Sequence, residues 1–286
     1  MRYPFSILFV FLLALSAHAV TIANGQTALI ELPTSETPLQ LAFEGKKIPI
    51  LSRPGAPDRK VALIPVGYRT APGNKTLLLQ GRTREQIPFD VVQGDYASEK
   101  LTVQPSKVSP DKKAQERISK EYREAMAVYG SFTPERYWNT PFAMPMESAV
   151  TSPFGTARTY NGKLKSFHSG TDFRAAPGTP VRAVNDGVVA IAKERYYAGN
   201  SVVIDHGEGL YSCYYHLSRI DVKVGQKVSK GEEVGLSGHS GRVTGPHLHF
   251  AVMLQGVQVD PMQLIGLLNG LFGEGSSDQL SVISRR

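Results

Sequence analysis

Apolar and polar residues alternate in short runs along most of the chain, a period of two that predicts strands rather than helices. In the first half the runs fall at residues 27–32, 39–43, 61–66, 75–79 and 89–92, each bounded by Gly, Pro or charged positions. Ala71-Pro72-Gly73-Asn74 is a turn signal between two of them. Residues 20–105 hold no His, no Cys and no internal repeat. They predict a small β-sandwich-like accessory domain that carries no catalytic constellation.

The period then changes. Ile118, Tyr122, Ala125, Met126 and Tyr129 fall at helical spacing. Ser109-Pro110-Asp111 reads as the start of this helix, with Ser as cap and Pro at the first position, and Gly130 as its stop. Residues 131–147 form a connector rich in Pro and aromatics, with Phe132, Tyr137, Trp138 and Phe142. From residue 148 alternation returns, at 188–193, 201–205, 210–216, 233–237 and 248–254, with Asn185-Asp186-Gly187 as a hairpin signal. A short amphipathic helix is expected over 262–272, and disorder over 273–286. The chain thus divides into an accessory domain at 20–105, helix and connector at 106–147, a second β domain at 148–265 and a tail at 266–286.

The first 19 residues stand apart. Arg2 precedes the apolar run Phe5 to Leu15, and Ala17-His18-Ala19 fits a small-x-small cleavage site, so residues 1–19 read as a signal peptide. Export is expected, to the periplasm or cell envelope or beyond, with no later stretch apolar enough to span a membrane. The chain carries 32 Lys and Arg against 25 Asp and Glu. Without Arg2 the balance is 31 against 25, or +6. That charge suits anionic wall polymers. With no basic run interleaved with aromatics, nucleic acid is set aside. Cys213 is the one cysteine, so no intramolecular disulfide forms, and its alternating apolar surroundings predict a buried thiol.

Six of the seven His lie at or beyond residue 168. His247 and His249 are two apart on a strand, so both face one side while Leu248 faces the other. That pair suits one metal ligand and one imidazole acting on a neighbouring water. His168 and Asp172 are four apart, about 13 Å on a straight strand, too far to share an ion. Sharing one requires a bend at Ser169-Gly170-Thr171, which Gly170 permits. Two imidazoles and a carboxylate form the three-ligand set of a catalytic zinc site, which leaves a position open for water. Alternation along 210–216 sets Ser212, Tyr214 and His216 on one side and Tyr211, Cys213 and Tyr215 on the other, so His216 can enter from a separate strand.

These residues resemble a known family. Residues from about 149 to 265 are similar to the LytM or lysostaphin-type zinc metallopeptidases of family M23, through Ser152-Pro153-Phe154-Gly155, His168-Ser169-Gly170-Thr171-Asp172, Tyr214-Tyr215-His216-Leu217 and Gly245-Pro246-His247-Leu248-His249-Phe250. The resemblance implies an antiparallel β catalytic domain, one zinc ion held by His168, Asp172 and His249, and His216 and His247 as catalytic histidines. It implies cleavage of peptide bonds in peptidoglycan cross-links or stem peptides. Ala251 stands where many members have Glu, and His239 where a small residue is usual. Tyr160, Asn161, Arg158, Tyr196 and Tyr197 are candidates for substrate loops, and His206 reads as structural. The competing readings are a non-catalytic or autoinhibited activator of other wall hydrolases and a peptidase acting on proteins. A lipoyl-like carrier, suggested by the turns at 224–232, leaves the five placed residues unexplained. The connector's length and aromatics also suggest that residues 20–147 regulate access to the metal.

Overall fold

The computed structural model describes residues 20–32, 38–273 and 281–282. The expected signal peptide lies outside the described residues. Among those residues no helix is long and apolar enough to cross a membrane.

The runs at 27–32 and 61–66 contain more consecutive apolar residues than an alternating strand needs, and the packing explains why. Thr27–Leu32 and Ala56–Pro65 pair in a four-stranded sheet that is covered on both faces. Ala28, Ile30, Ala62 and Ile64 face a five-stranded sheet and join Leu41, Phe43, Leu77 and Phe89 in one core. Leu29, Val61 and Leu63 face the other way, into the core of the second half. The accessory part is therefore a two-sheet sandwich whose outer sheet is also the wall of its neighbour.

The second half is built on an eight-stranded sheet in which every pairing is antiparallel. Its order runs from Val150–Ser152 through Thr171–Arg174, His247–Leu254, Leu210–Leu217, Gly199–Gly207 and Gly187–Arg195 to Lys227–Val228, and the eighth strand, Val257–Val259, pairs with His247–Leu254 off this path. One face presents Phe173, Leu248, Phe250, Tyr214 and Val202 to a core shared with Trp138, Phe142 and Met146 of the connector. Helix α2 (Pro261–Gly270), capped by Asp260, closes that core with Leu264, Ile265 and Leu268. The opposite face presents Tyr211, Cys213, Ala251 and Met253, and helix α1 (Lys112–Tyr129) lies on it through Ala125 and Tyr129. Cys213 is a buried core thiol, as its surroundings predict.

Several details differ from the sequence reading. Asp111, not Ser109, caps α1, its carboxylate accepting from Ala114 N. Only Ala125 and Tyr129 of α1 are buried, and Tyr122 is 65% exposed. Asn185-Asp186-Gly187 is not a hairpin: Pro180–Arg182 pairs with Glu233–Leu236 in a separate sheet, while Gly187–Arg195 pairs with Gly199–Gly207. The polar side chains that make the segment look like a turn tie down its neighbours instead, Asn185 donating to Thr140 O and Asp186 accepting from Lys230 N. Packing also crosses the boundaries drawn at 105, 147 and 265. Ser98–Leu101 pairs with Ala157–Tyr160, the connector's Trp138 is 1% exposed within the second core, and α2 runs through residue 265. Within the stretch expected to be disordered, Ser281–Val282 pairs with Thr27–Leu32.

Candidate metal centre

The site forms on the α1 side of the central sheet. His247–Leu254 places His249 directly opposite Asp172 on one neighbouring strand and opposite Tyr215 on the other. Directly paired residues of an antiparallel sheet hold their Cβ atoms about 5 Å apart on one face. Asp172 and His249 meet this way although 77 positions separate them in sequence. Leu248, between the two histidines, is fully buried on the other face and anchors the strand. His168 follows the strand Leu164–Phe167, and the chain bends through Ser169-Gly170 before entering Thr171–Arg174. Gly170 is required by space. A Cβ there would stand 2.4 Å from Phe250 O and 2.7 Å from His249 Nε2.

His216 reaches the site by a route that strand alternation does not give. Tyr214 and Ser212 point to the opposite face, where Tyr214 packs in the main core. Regular alternation would send His216 there too. Instead His216 has a φ of 64°, and the ladder to Gly199–Gly207 shifts register beside it. This left-handed backbone turns the imidazole over, to 4.9 Å from the His247 ring and 5.8 Å from the His249 ring, measured between centroids. A positive φ at a residue other than glycine is uncommon, and such strain concentrates at functional sites.

Three donor atoms converge. His168 Nε2, Asp172 Oδ1 and His249 Nδ1 are separated by 2.9, 2.9 and 3.0 Å. His168 donates from Nδ1 to Pro153 O at 2.8 Å, which leaves the Nε2 lone pair facing the other two atoms. Electron pairs aimed at one another repel unless a cation lies among them. The spacing is close to the about 3.3 Å between donors of a tetrahedral shell with ~2.0 Å bonds. The residues fit a zinc ion, which takes imidazole nitrogen and carboxylate oxygen in this three-donor pattern. His247 and His216 stand beside the cluster. His247 donates from Nδ1 to Gly245 O and His216 from Nδ1 to Ser240 O, both at 2.8 Å, so each presents a bare Nε2. His247 Nε2 lies 3.6 Å from Asp172 Oδ1.

Burial sets the charges. It pushes His249 down to about 4, and it pushes His216 well below its ordinary value with help from the nearby His249 and His247 rings. Burial pushes the Asp172 carboxyl up, but its contacts with the His168 and His249 rings outweigh that and hold it well below the usual range. At neutral pH Asp172 is therefore a carboxylate and His249 and His216 are neutral imidazoles, the protonation states that bind a metal or accept a proton.

The sequence reading missed several groups. Tyr215 stacks on the His249 ring, with the planes 7° apart and the centroids at 5.4 Å. The carbonyls of Pro153, Ser240 and Gly245 fix three imidazoles, and a carbonyl leaves no mark in a sequence. Among the proposed loop residues, Asn161 binds the Val103 backbone, Tyr196 donates to Ser106 O, and Tyr160 and Tyr197 flank Arg242. Arg158 bonds Asp172 itself. His206 is structural, its Nδ1 donating to Asp186 O while its Nε2 meets the Ser212 hydroxyl within the buried core.

Comparison with known proteins places this geometry. Residues 166–261 match the family model described as Peptidase family M23. The peptidoglycan DD-endopeptidase ShyA of Vibrio cholerae is 53% identical over 96 residues, 34% of this chain and 22% of its own length. The DD-carboxypeptidase/endopeptidase Mpg of Neisseria meningitidis is 38% identical over 115 residues, 40% of this chain and 26% of its own. The match thus spans about a quarter of these curated relatives. A crystal structure described as a peptidase M23 from Pseudomonas aeruginosa aligns over 85% of this chain and 95% of that one, with 30% identity and a TM-score of 0.66.

Proposed function

Because the chain belongs to peptidase family M23, we propose that it is a zinc-dependent endopeptidase that hydrolyses peptide bonds in peptidoglycan, with D,D-cross-links as the first candidates. The observation that carries the reading is the convergence, on one sheet face, of three metal-binding donors with two further imidazoles whose Nε2 atoms are bare. The names of the similar proteins supply the substrate class.

His168, Asp172 and His249 would hold the ion, which would supply Lewis acidity at the scissile carbonyl and make a water acidic near neutral pH. The other steps belong to side chains. His216 and His247 are each held by a backbone carbonyl on Nδ1, so neither ring must reorient before its Nε2 accepts a proton from the attacking water. The imidazolium so formed returns that proton to the leaving amine and, while charged, stabilises the oxyanion. Tyr215 stacks on the His249 ring, and Leu248, buried on the opposite face, anchors the strand that carries it. A signal peptide at residues 1–19 delivers the protein to the periplasm or cell envelope, where this substrate lies.

The test is digestion of purified peptidoglycan by the zinc-loaded chain, with products identified by mass spectrometry and His216→Ala as control. New cross-link or stem-peptide cleavage, absent from the control, supports the reading and names the bond. Intact cross-links under full zinc loading count against it.

One observation favours control of access by the first half. Helix α1 covers part of the sheet face that carries the site: Tyr129 bonds Tyr215, the residue stacked on His249. Gln104 and Lys107 also face the 239–246 loop across a cavity of about 330 Å³. A fragment starting at residue 148 would lose Trp138, Phe142 and Met146 from its core, so truncation is a poor test. Loosening α1 with Ala125→Asp is the better one. Faster peptidoglycan cleavage indicates a cover, and unchanged or slower cleavage indicates a packing element only.

A further inference from the structure

Asp172 has two carboxylate oxygens, and only one faces the other metal donors. Oδ1 lies between His168 and His249, while Oδ2 accepts a hydrogen bond from Arg158 Nη2 at 3.0 Å. The same Nη2 is 3.0 Å from the Ser152 hydroxyl, and Arg158 Nε donates to Glu99. The Arg158 side chain is only 12% exposed. It is therefore a held group, unlike a surface ion pair whose geometry is loose.

Glu99 comes from the accessory part. It lies in Ser98–Leu101, which pairs in parallel with Ala157–Tyr160, and Glu99 is the direct partner of Arg158 in that ladder. The hairpin that carries Arg158 is clasped a second time at the same end, on its other strand, where Phe167 pairs with Ala157. Tyr68 stacks on Phe167 with centroids 4.0 Å apart, and Tyr96 packs on Tyr68 at 4.9 Å. Phe167 immediately precedes His168.

From this we propose that Arg158 is a positioning residue for the metal centre, and that Glu99 couples the accessory half to it by fixing Arg158. The inference rests on the peptidase reading for the identity of the metal only. Two effects of Arg158 oppose each other. Its positive charge repels a cation held by Asp172, whereas its hydrogen bond stops the carboxylate from rotating away or from presenting both oxygens. Glu99 offsets the charge and leaves the orientation. The balance therefore favours binding, in the way that outer partners of ligating groups commonly contribute 10- to 100-fold in metal affinity.

The experiment is zinc binding to the whole chain prepared free of metal, by competition with a chromogenic chelator, with urea unfolding of the same metal-free samples. Arg158→Met is expected to raise the zinc Kd about 10- to 100-fold, Arg158→Lys by less, and Glu99→Ala in the same direction by less again. Because Glu99 acts through Arg158, the double variant Glu99→Ala/Arg158→Met should bind zinc no more weakly than Arg158→Met alone. The urea midpoints separate this from general unfolding, and Arg158→Lys gives a measurement if Arg158→Met does not fold. An unchanged or tighter Kd in Arg158→Met, or in Arg158→Lys if that is the one that folds, overturns the positioning role. Full additivity in the double variant overturns the coupling. Failure of the unsubstituted chain to bind zinc would sink the peptidase reading, which is a different result from either.

Discussion

Gly170 is the position at which the smallest chemical change should do the most to the metal centre. In Gly170→Ala one methyl enters a space bounded by Phe250 O at 2.4 Å and by His249 Nε2 and Cε1 at 2.7 and 2.9 Å. Ordinary carbon–oxygen and carbon–nitrogen contacts begin near about 3.4 Å, so the deficits are roughly 1.0 Å against the carbonyl and 0.7 Å against the ring. The carbonyl cannot yield cheaply, because Phe250 sits in the ladder opposite Thr171 and its side chain is fully buried. The His249 ring is the part that moves, and metal ligands tolerate displacements of only about 0.2 Å. Overpacking of this kind destabilises by about 1–3 kcal/mol, and displaced support of a ligand weakens the metal about 10- to 100-fold. Chelator competition reads the second effect and urea unfolding of the metal-free protein reads the first. A variant with wild-type zinc affinity and an unchanged urea midpoint would refute the claim that the bend at Gly170 is built against His249.

His216→Ala should keep its zinc, since His216 is outside the converging donors, and should lose about 10²- to 10⁴-fold in peptidoglycan cleavage; loss of zinc would instead make it a ligand. Metal-free protein should be inactive and regain activity with one equivalent of zinc, read by turnover against added metal. Buried His206 has its pKa pushed down from 6.5 to about 4. Its folded value lies below its unfolded one, so the unfolded chain binds the proton first as pH falls. The neutral ring's contribution is complete above pH 6.5 and is lost progressively between pH 6.5 and about 4. At about 1.4 kcal/mol per unit this is about 3 kcal/mol, measurable as a fall in unfolding free energy of the metal-free protein that His206→Gln should flatten.

The mostly β fold was legible because burial imposes a period of two on half-covered strands, and the runs at 75–79 and 188–193 follow it. The doubly covered strands Thr27–Leu32 and Ala56–Pro65 read as apolar runs for the same physical reason, although the sequence does not say what covers the second face. The local parts of the site were equally accessible: His247 and His249 share a face, and Gly170 bends the chain. What depends on long-range register was not. The pairing of Asp172 with His249 is set by ladder geometry between distant strands. The side on which His216 emerges is set by one left-handed residue that alternation cannot anticipate. Arg158 looked like a loop cation because its partners, Asp172 and Glu99, come from two different strands. The connector looked like a linker because Trp138 and Phe142 are buried by residues far along the chain.

The central assignment is that His168, Asp172 and His249 hold a zinc ion while His216 and His247 remain free to handle protons. Anomalous diffraction at the zinc edge from crystals of the zinc-loaded chain tests it directly. The account predicts a single strong peak bonded to His168 Nε2, Asp172 Oδ1 and His249 Nδ1, with the Nε2 atoms of His216 and His247 outside bonding distance. A peak ligated by His216 or His247, or one located away from these three donors, would contradict it.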